Sequence, residues 1–172
     1  MSEAPSGGRD SRPGGEWLAG GGPERPEGDP DQRQAQPGAV PDGTDTYALY
    51  QRGLDLLGRG SAAAAAQLLA RAAAAEPESR SVLEALGRAQ FGAGRYHAAA
   101  GSFRQIVAAS PSDDYAQFGL GLALARAGNP GAAAEHLALA AAMRPDLPHY
   151  TDALRDVRSA LRSRSRNEGK DS

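Results

Sequence analysis

The chain has 172 residues, a formal net charge of −2 and 40% hydrophobic residues, enough for one ordinary domain if the apolar residues cluster. It contains no cysteine, which excludes disulfides and thiolate metal sites and fits a reducing, cytoplasmic setting. The charge balance demands neither nucleic acid nor an acidic surface, and the polar start of the sequence carries no secretory signal.

Residues 1–45 hold ten of the 22 glycines and seven of the 12 prolines, with nine acids against four arginines. Their apolar content beyond Trp17, Leu18 and Val40 is too low to offset the entropy of ordering, so this segment is expected to be a disordered tail. From Thr46 the text changes. Leu49, Gly53 and Leu56 share one helical face, with Thr44 or Asp45 as the cap. Gly60-Ser61 ends this helix and starts a second, residues 62–75, which Pro77 closes. The pattern then recurs. Residues 81–91 and 96–109 flank a turn at Gly92-Ala93-Gly94, and residues 114–127 and 130–143 flank Gly128-Asn129. A last amphipathic helix over 148–162 places Leu154, Val157 and Leu161 opposite Arg155, Arg158 and Arg162. Residues 163–172 read as a fraying tail.

The recurrence has a fixed step. Pro77, Pro111 and Pro145 lie 34 residues apart, as do Gly53, Gly87 and Gly121, Gly60, Gly94 and Gly128, and Ala65, Ala99 and Ala133. Leu69, Phe103 and Leu137 follow each alanine by four residues. The units are therefore 46–79, 80–113 and 114–147. Small residues such as Gly87 and Ala99 let paired helices approach, and Leu86, Phe103 and Ile106 fill the space around them.

At Leu86-Gly87, Gly94, Tyr96, Ala99, Phe103 and Pro111, and again at Leu120-Gly121, Gly128, Ala133, Leu137, Ala140 and Pro145, the chain resembles the tetratricopeptide repeat family. The first unit keeps Gly53, Gly60, Ala65, Leu69, Ala72 and Pro77 but has Arg52 where leucine is usual. Tryptophan is replaced by Leu49, Leu83 and Gln117, and Gln90 stands where tyrosine would. The resemblance implies an all-α fold: a right-handed α-solenoid of three helical hairpins with a C-terminal capping helix.

The resemblance also implies that the first helix of each hairpin lines a concave face. The matching positions are Tyr47, Tyr50, Leu54 and Leu57, then Glu84, Arg88 and Phe91, then Tyr115, Phe118 and Leu122, with His149, Asp152 and Asp156 from the cap. Such a face suits a peptide or amphipathic helix of a partner protein, which makes the chain a non-catalytic adaptor. The alternative is a small chaperone for one client, of the kind found in bacterial secretion systems. Relatives that clamp the acidic tails of heat-shock chaperones use lysines and asparagines where this chain has Tyr50, Leu54, Ala85 and Arg88, so no carboxylate clamp is expected.

Other chemistry finds no support in the sequence. His97, His136 and His149 lie on separate helices without metal-ligand spacing and read as solvated residues. Gly119-Leu120-Gly121 sits within a helix and follows no strand, so it is not a dinucleotide loop, and no cofactor is expected. No nucleophile, base and acid converge. The arginines of the last helix lack interleaved aromatics, so nucleic acid is not an expected partner, and no segment is apolar enough to span a membrane. Trp17-Leu18 reads either as incidental or as a short motif able to reach the chain's own groove. Eighteen arginines against the single Lys170 suggest a bacterial gene of high GC content.

Overall fold

The computed structural model describes residues 45–168; the disorder expected of residues 1–44 and the end of the C-terminal tail lie outside them. Seven helices follow in order: α1 (Thr46–Gly58), α2 (Ala62–Ala75), α3 (Arg80–Gly92), α4 (Tyr96–Ala109), α5 (Asp114–Arg126), α6 (Pro130–Met143) and α7 (Pro148–Glu168). Each packs on the next, and α1, α3, α5 and α7 also touch in sequence along one side. The hairpin array expected from the 34-residue step is thus present, with no strand among the described residues.

The turns explain the glycine and proline columns. Gly60, Gly94 and Gly128 have φ of 77°, 74° and 89°, a left-handed conformation that side chains disfavour. Each closes the same motif: Gly60 N–H donates to Leu57 and Ser61 N–H to Leu56, Gly94 to Phe91 and Arg95 to Gln90, Gly128 to Ala125 and Asn129 to Leu124. Between units, the N–H groups of Ser79, Asp113 and Leu147 donate to the carbonyls of Glu76, Ser110 and Arg144, each across a proline placed one residue into the turn. The caps divide. The side chains of Asp45, Asp113 and Asn129 accept from Tyr47, Ala116 and Ala132, whereas Ser61 occupies the cap position without a side-chain bond.

Glycine also sets the helix spacing within units. A Cβ on Gly53 would lie 2.6 Å from Leu69, one on Gly87 2.8 Å from Phe103, and one on Gly121 2.6 Å from Leu137. Gly119, outside the repeated columns, would meet Phe103 at 2.7 Å, so that ring lies between the backbones of α3 and α5. Two apolar clusters result. Leu57, Ala65, Ala66, Leu69, Ala85, Leu86 and Ala89 join the first unit to the second, and a larger cluster around Phe103, Phe118, Leu137 and Tyr150 runs to the cap.

Three departures have local causes. Arg52 is exposed while its counterparts Leu86 and Leu120 are buried, because among the described residues no helix precedes α1 to cover it. Gln117, at the tryptophan column, is buried and donates from Nε2 to the Pro111 carbonyl (2.8 Å), and its Oε1 accepts from His136 Nδ1 (2.7 Å). His136 is therefore not the solvated residue the sequence implies; burial holds its pKa below the ordinary value. The last helix extends beyond residue 162: α7 continues to Glu168, with Ser163 and Ser165 hydroxyls donating to the Ser159 and Leu161 carbonyls.

The cap is anchored by Tyr150, which is fully buried, stacks on Phe118 at 4.3 Å and donates its hydroxyl to Asp114 at 3.0 Å. Burial first, then the Asp114 charge, pushes its phenol above the ordinary 10.0. A raised phenol stabilises the fold in full below the unfolded value and loses that contribution as pH climbs past it. Stability should therefore fall above pH 10.0 by an extra ~1.4 kcal/mol per unit relative to Tyr150→Phe, measured by urea unfolding at each pH.

Candidate functional site

The inner side of the array is built from α1, α3, α5 and α7, whose positions were expected to present an aromatic groove. The structure divides those positions. Leu57, Phe91, Tyr115, Phe118 and Leu122 are all buried, at 3–7% exposure. The physical reason is that successive first helices touch one another, so these side chains fill the seam between them. Phe91 meets Tyr96 edge-on at 5.2 Å, and Phe118 is covered by Tyr150 and His149. They are core, and a ligand cannot reach them while the helices stay packed.

The remaining positions are accessible. Tyr47 is 69% exposed, Tyr50, Leu54, Glu84 and Arg88 are half-buried, and His149, Asp152 and Asp156 are exposed on α7. Asp152 is held by Arg155 at 2.6 Å, and His149 lies edge-on to Tyr150 at 4.7 Å. Four of the expected residues converge. Tyr50 and Leu54 from α1 face Arg80, Ser81, Glu84, Ala85 and Arg88 from α3 across an open cleft of about 120 Å³. Tyr50 and Leu54 are one helical turn apart on α1, as Arg80, Glu84 and Arg88 are on α3, so each helix turns one stripe toward the cleft.

Arg80 was not foreseen as a site residue, although its spacing to Glu84 is that of a helical ion pair. Its Nη1 reaches Glu84 Oε2 at 2.7 Å and its Nε bonds Asp113, the residue that also caps α5. Arg80 is thereby fixed between two carboxylates from the two ends of its own unit. Arg88 is not: no ion pair or hydrogen bond holds its guanidinium among the described residues, and its buried Nε has no acceptor, like Arg80 Nη2. Buried donors without partners are rare in folded proteins, and a pair of them beside one cleft marks a place for an acceptor. Across from them, burial and the Glu84 charge raise the Tyr50 pKa while Arg88 opposes, so the phenol stays protonated and able to donate at neutral pH.

The arrangement offers hydrogen-bond donors and an apolar wall. No group of three or more metal-ligating side chains occurs among the described residues, and none of their helices is long and apolar enough to cross a membrane.

Comparison with known proteins gives the same architecture. The sequence profile of the tetratricopeptide repeat family matches residues 50–114 and 84–148, together more than half the chain. The chain belongs to the tetratricopeptide repeat family. No curated protein matches it. Among solved structures it is similar to the first tetratricopeptide domain of Spaghetti (RPAP3) bound to the HSP90 peptide SRMEEVD, at 19% identity and a TM-score of 0.63, over 70% of this chain and 95% of that one. MamA MSR-1 is similar at 22% identity and a TM-score of 0.65, over 74% of each chain. The Sgt2 tetratricopeptide domain of Aspergillus fumigatus is similar at 18% identity and a TM-score of 0.64, over 70% of this chain and 82% of that one. At such identities the shared feature is the fold.

Proposed function

We infer that this tetratricopeptide protein is a non-catalytic adaptor that holds a peptide or helix of a partner protein against α1 and α3. The observation that supports this reading is the pair of unpartnered guanidinium nitrogens, on Arg80 and Arg88, at a cleft walled by Tyr50 and Leu54. A peptide brings what the cleft lacks: carboxylate or carbonyl acceptors and apolar side chains on a short segment. The Glu84 carboxylate adds an acceptor for a peptide N–H, and exposed Tyr47 extends the apolar wall. The client-chaperone alternative is less well supported, because shielding an apolar segment needs apolar surface and Phe91, Tyr115 and Phe118 are withdrawn into the core.

Charge argues against an acidic peptide such as the SRMEEVD bound to RPAP3. Arg80 is already matched by Glu84 and Asp113, which leaves Arg88 to face any acidic ligand. A terminal aspartate brings two carboxylates and meets Glu84. Titration calorimetry with SRMEEVD should accordingly give no measurable heat of binding, and micromolar affinity would overturn this charge argument. Cross-linking and pull-down with the full chain beside Tyr50→Ala/Arg88→Ala provides the main test. Partners held by the cleft should be lost from the double variant, whose circular dichroism should match the native chain; the same partners surviving in both would remove the cleft from consideration.

A further inference from the structure

We propose that the chain's own Glu16-Trp17-Leu18 segment docks in the α1–α3 cleft, with the Glu16 carboxylate on Arg88 and the two apolar side chains against Tyr50 and Leu54. This rests on the preceding reading of the cleft as a peptide site and adds how that site is regulated.

Charge is the first argument. The cleft has a guanidinium with a buried Nε–H and no acceptor, and Arg80 beside it is saturated by two carboxylates except at Nη2. One side-chain carboxylate satisfies Arg88 without bringing a second negative group toward Glu84. Glu16 supplies one, and its sequence neighbours within the segment, Gly14, Gly15, Ala19 and Gly20, carry no charge.

Chemistry and size are the second. Trp17-Leu18 is the sole pair of adjacent large apolar residues ahead of the repeats, and it directly follows an acid. The cleft pairs the same two properties, with Tyr50 and Leu54 on one wall and arginines on the other. An indole also packs favourably against a guanidinium and donates one hydrogen bond, for which the Glu84 carboxylate is an acceptor.

Connectivity is the third. The described chain begins at Asp45, and Tyr50 lies five residues on, about 7.5 Å along the α1 axis. The segment therefore leaves the fold beside the cleft. The roughly 27 residues from Leu18 to Asp45 can span any distance up to about 90 Å, so the reach includes the cleft with much chain to spare. A tethered ligand at this separation acts at an effective concentration in the millimolar range, so contacts too weak to hold a free peptide suffice. A partner peptide must then displace the segment, and its apparent affinity is lowered by the fraction of chains in which the cleft is occupied.

Trp17 is the chain's single tryptophan, so its fluorescence reports the contact in the full-length protein without a label. In the native chain the emission should be blue-shifted and protected from acrylamide, independent of protein concentration. Glu16→Gln and Arg88→Gln should each move the emission to the red and raise quenching, as the ratio of docked to free segment falls roughly tenfold with loss of a charge-assisted bond. Arg71→Gln, exposed on α2 and remote from the cleft, should change neither. Glu16 belongs to none of the described helices, so that variant reads docking without altering their packing. A fully exposed Trp17 in the native chain, or protection equal in all variants, overturns the proposal. Protection that grows with concentration assigns the contact to a second copy and overturns it as well. These failures leave partner binding by the cleft untouched, since that stands or falls on the Tyr50→Ala/Arg88→Ala pull-down.

Discussion

Phe103→Ala should unfold the array or bring it close to unfolding, with a loss of about 3–5 kcal/mol in urea denaturation. The ring is fully buried and is the shared contact of two units: Gly87 on α3 and Gly119 on α5 both touch it. Removing it leaves a void bounded by two helix backbones that other side chains hold apart, so the site cannot collapse. A domain of this size is stable by roughly 5–15 kcal/mol, and because units support one another the middle one cannot be lost alone. The glycines supply the converse test. Alanine favours a helix over glycine by about 0.8–1.0 kcal/mol, whereas an added methyl in a filled contact costs about 1–3 kcal/mol. The ring cannot retreat from a methyl at residue 87, because the α5 backbone at Gly119 is already in contact behind it. Gly87→Ala and Gly119→Ala should each be net destabilising, by up to about 2 kcal/mol, and Phe103→Leu should recover part of the loss in the double variant. Stabilisation by either alanine would show that the ring has room to move.

Tyr150→Ala should release the cap. The substitution removes a fully buried aromatic, its stack on Phe118 and its hydrogen bond to Asp114, and other buried aromatics lose about 3–5 kcal/mol on such truncation. The damage differs in kind from that at Phe103. Tyr150 sits at the end of the array, so α7 should detach while the first two units stay folded. Hydrogen exchange should show protection lost across α7 and the inner side of α5, with α1–α4 little changed. Uniform loss of protection would instead mean that the cap and the repeats unfold as one unit. Tyr150→Phe, which keeps the stack, should lose only the bond to Asp114, about 1.5–3 kcal/mol for a charged acceptor.

The register, the turns and the units were legible because each rests on a residue with a backbone property. Gly60, Gly94 and Gly128 are needed for positive φ, the prolines for closing turns, and Gly53, Gly87 and Gly121 for close approach. Such requirements are local and survive in a one-dimensional text. Depth is not local. A column assigns Phe118 to the inner side, but its burial depends on Tyr150, which comes from a helix with no repeat signature, 32 residues later. In the same way Arg80 became part of the cleft through Asp113, a partner 33 residues on at the far end of the same unit, and Gln117 replaced an indole by bonding to a histidine one helix on. Tyr50, Leu54, Glu84 and Arg88 are inner-face columns taken across two units, and the structure brings those four of the expected positions to one cleft.

Arg52 has a consequence for assembly. A helical array whose first and last faces match can add further copies end to end, giving an open fibre rather than a closed particle. Here Ala48, Gln51, Arg52 and Asp55 cover the leading face of α1, and Thr151, Asp152, Arg155, Asp156 and Arg158 are exposed on α7. Burying either set against another copy would desolvate charge with little apolar area in return. Among the described residues both ends of the stack present polar groups, which directs contact with other copies to its flanks.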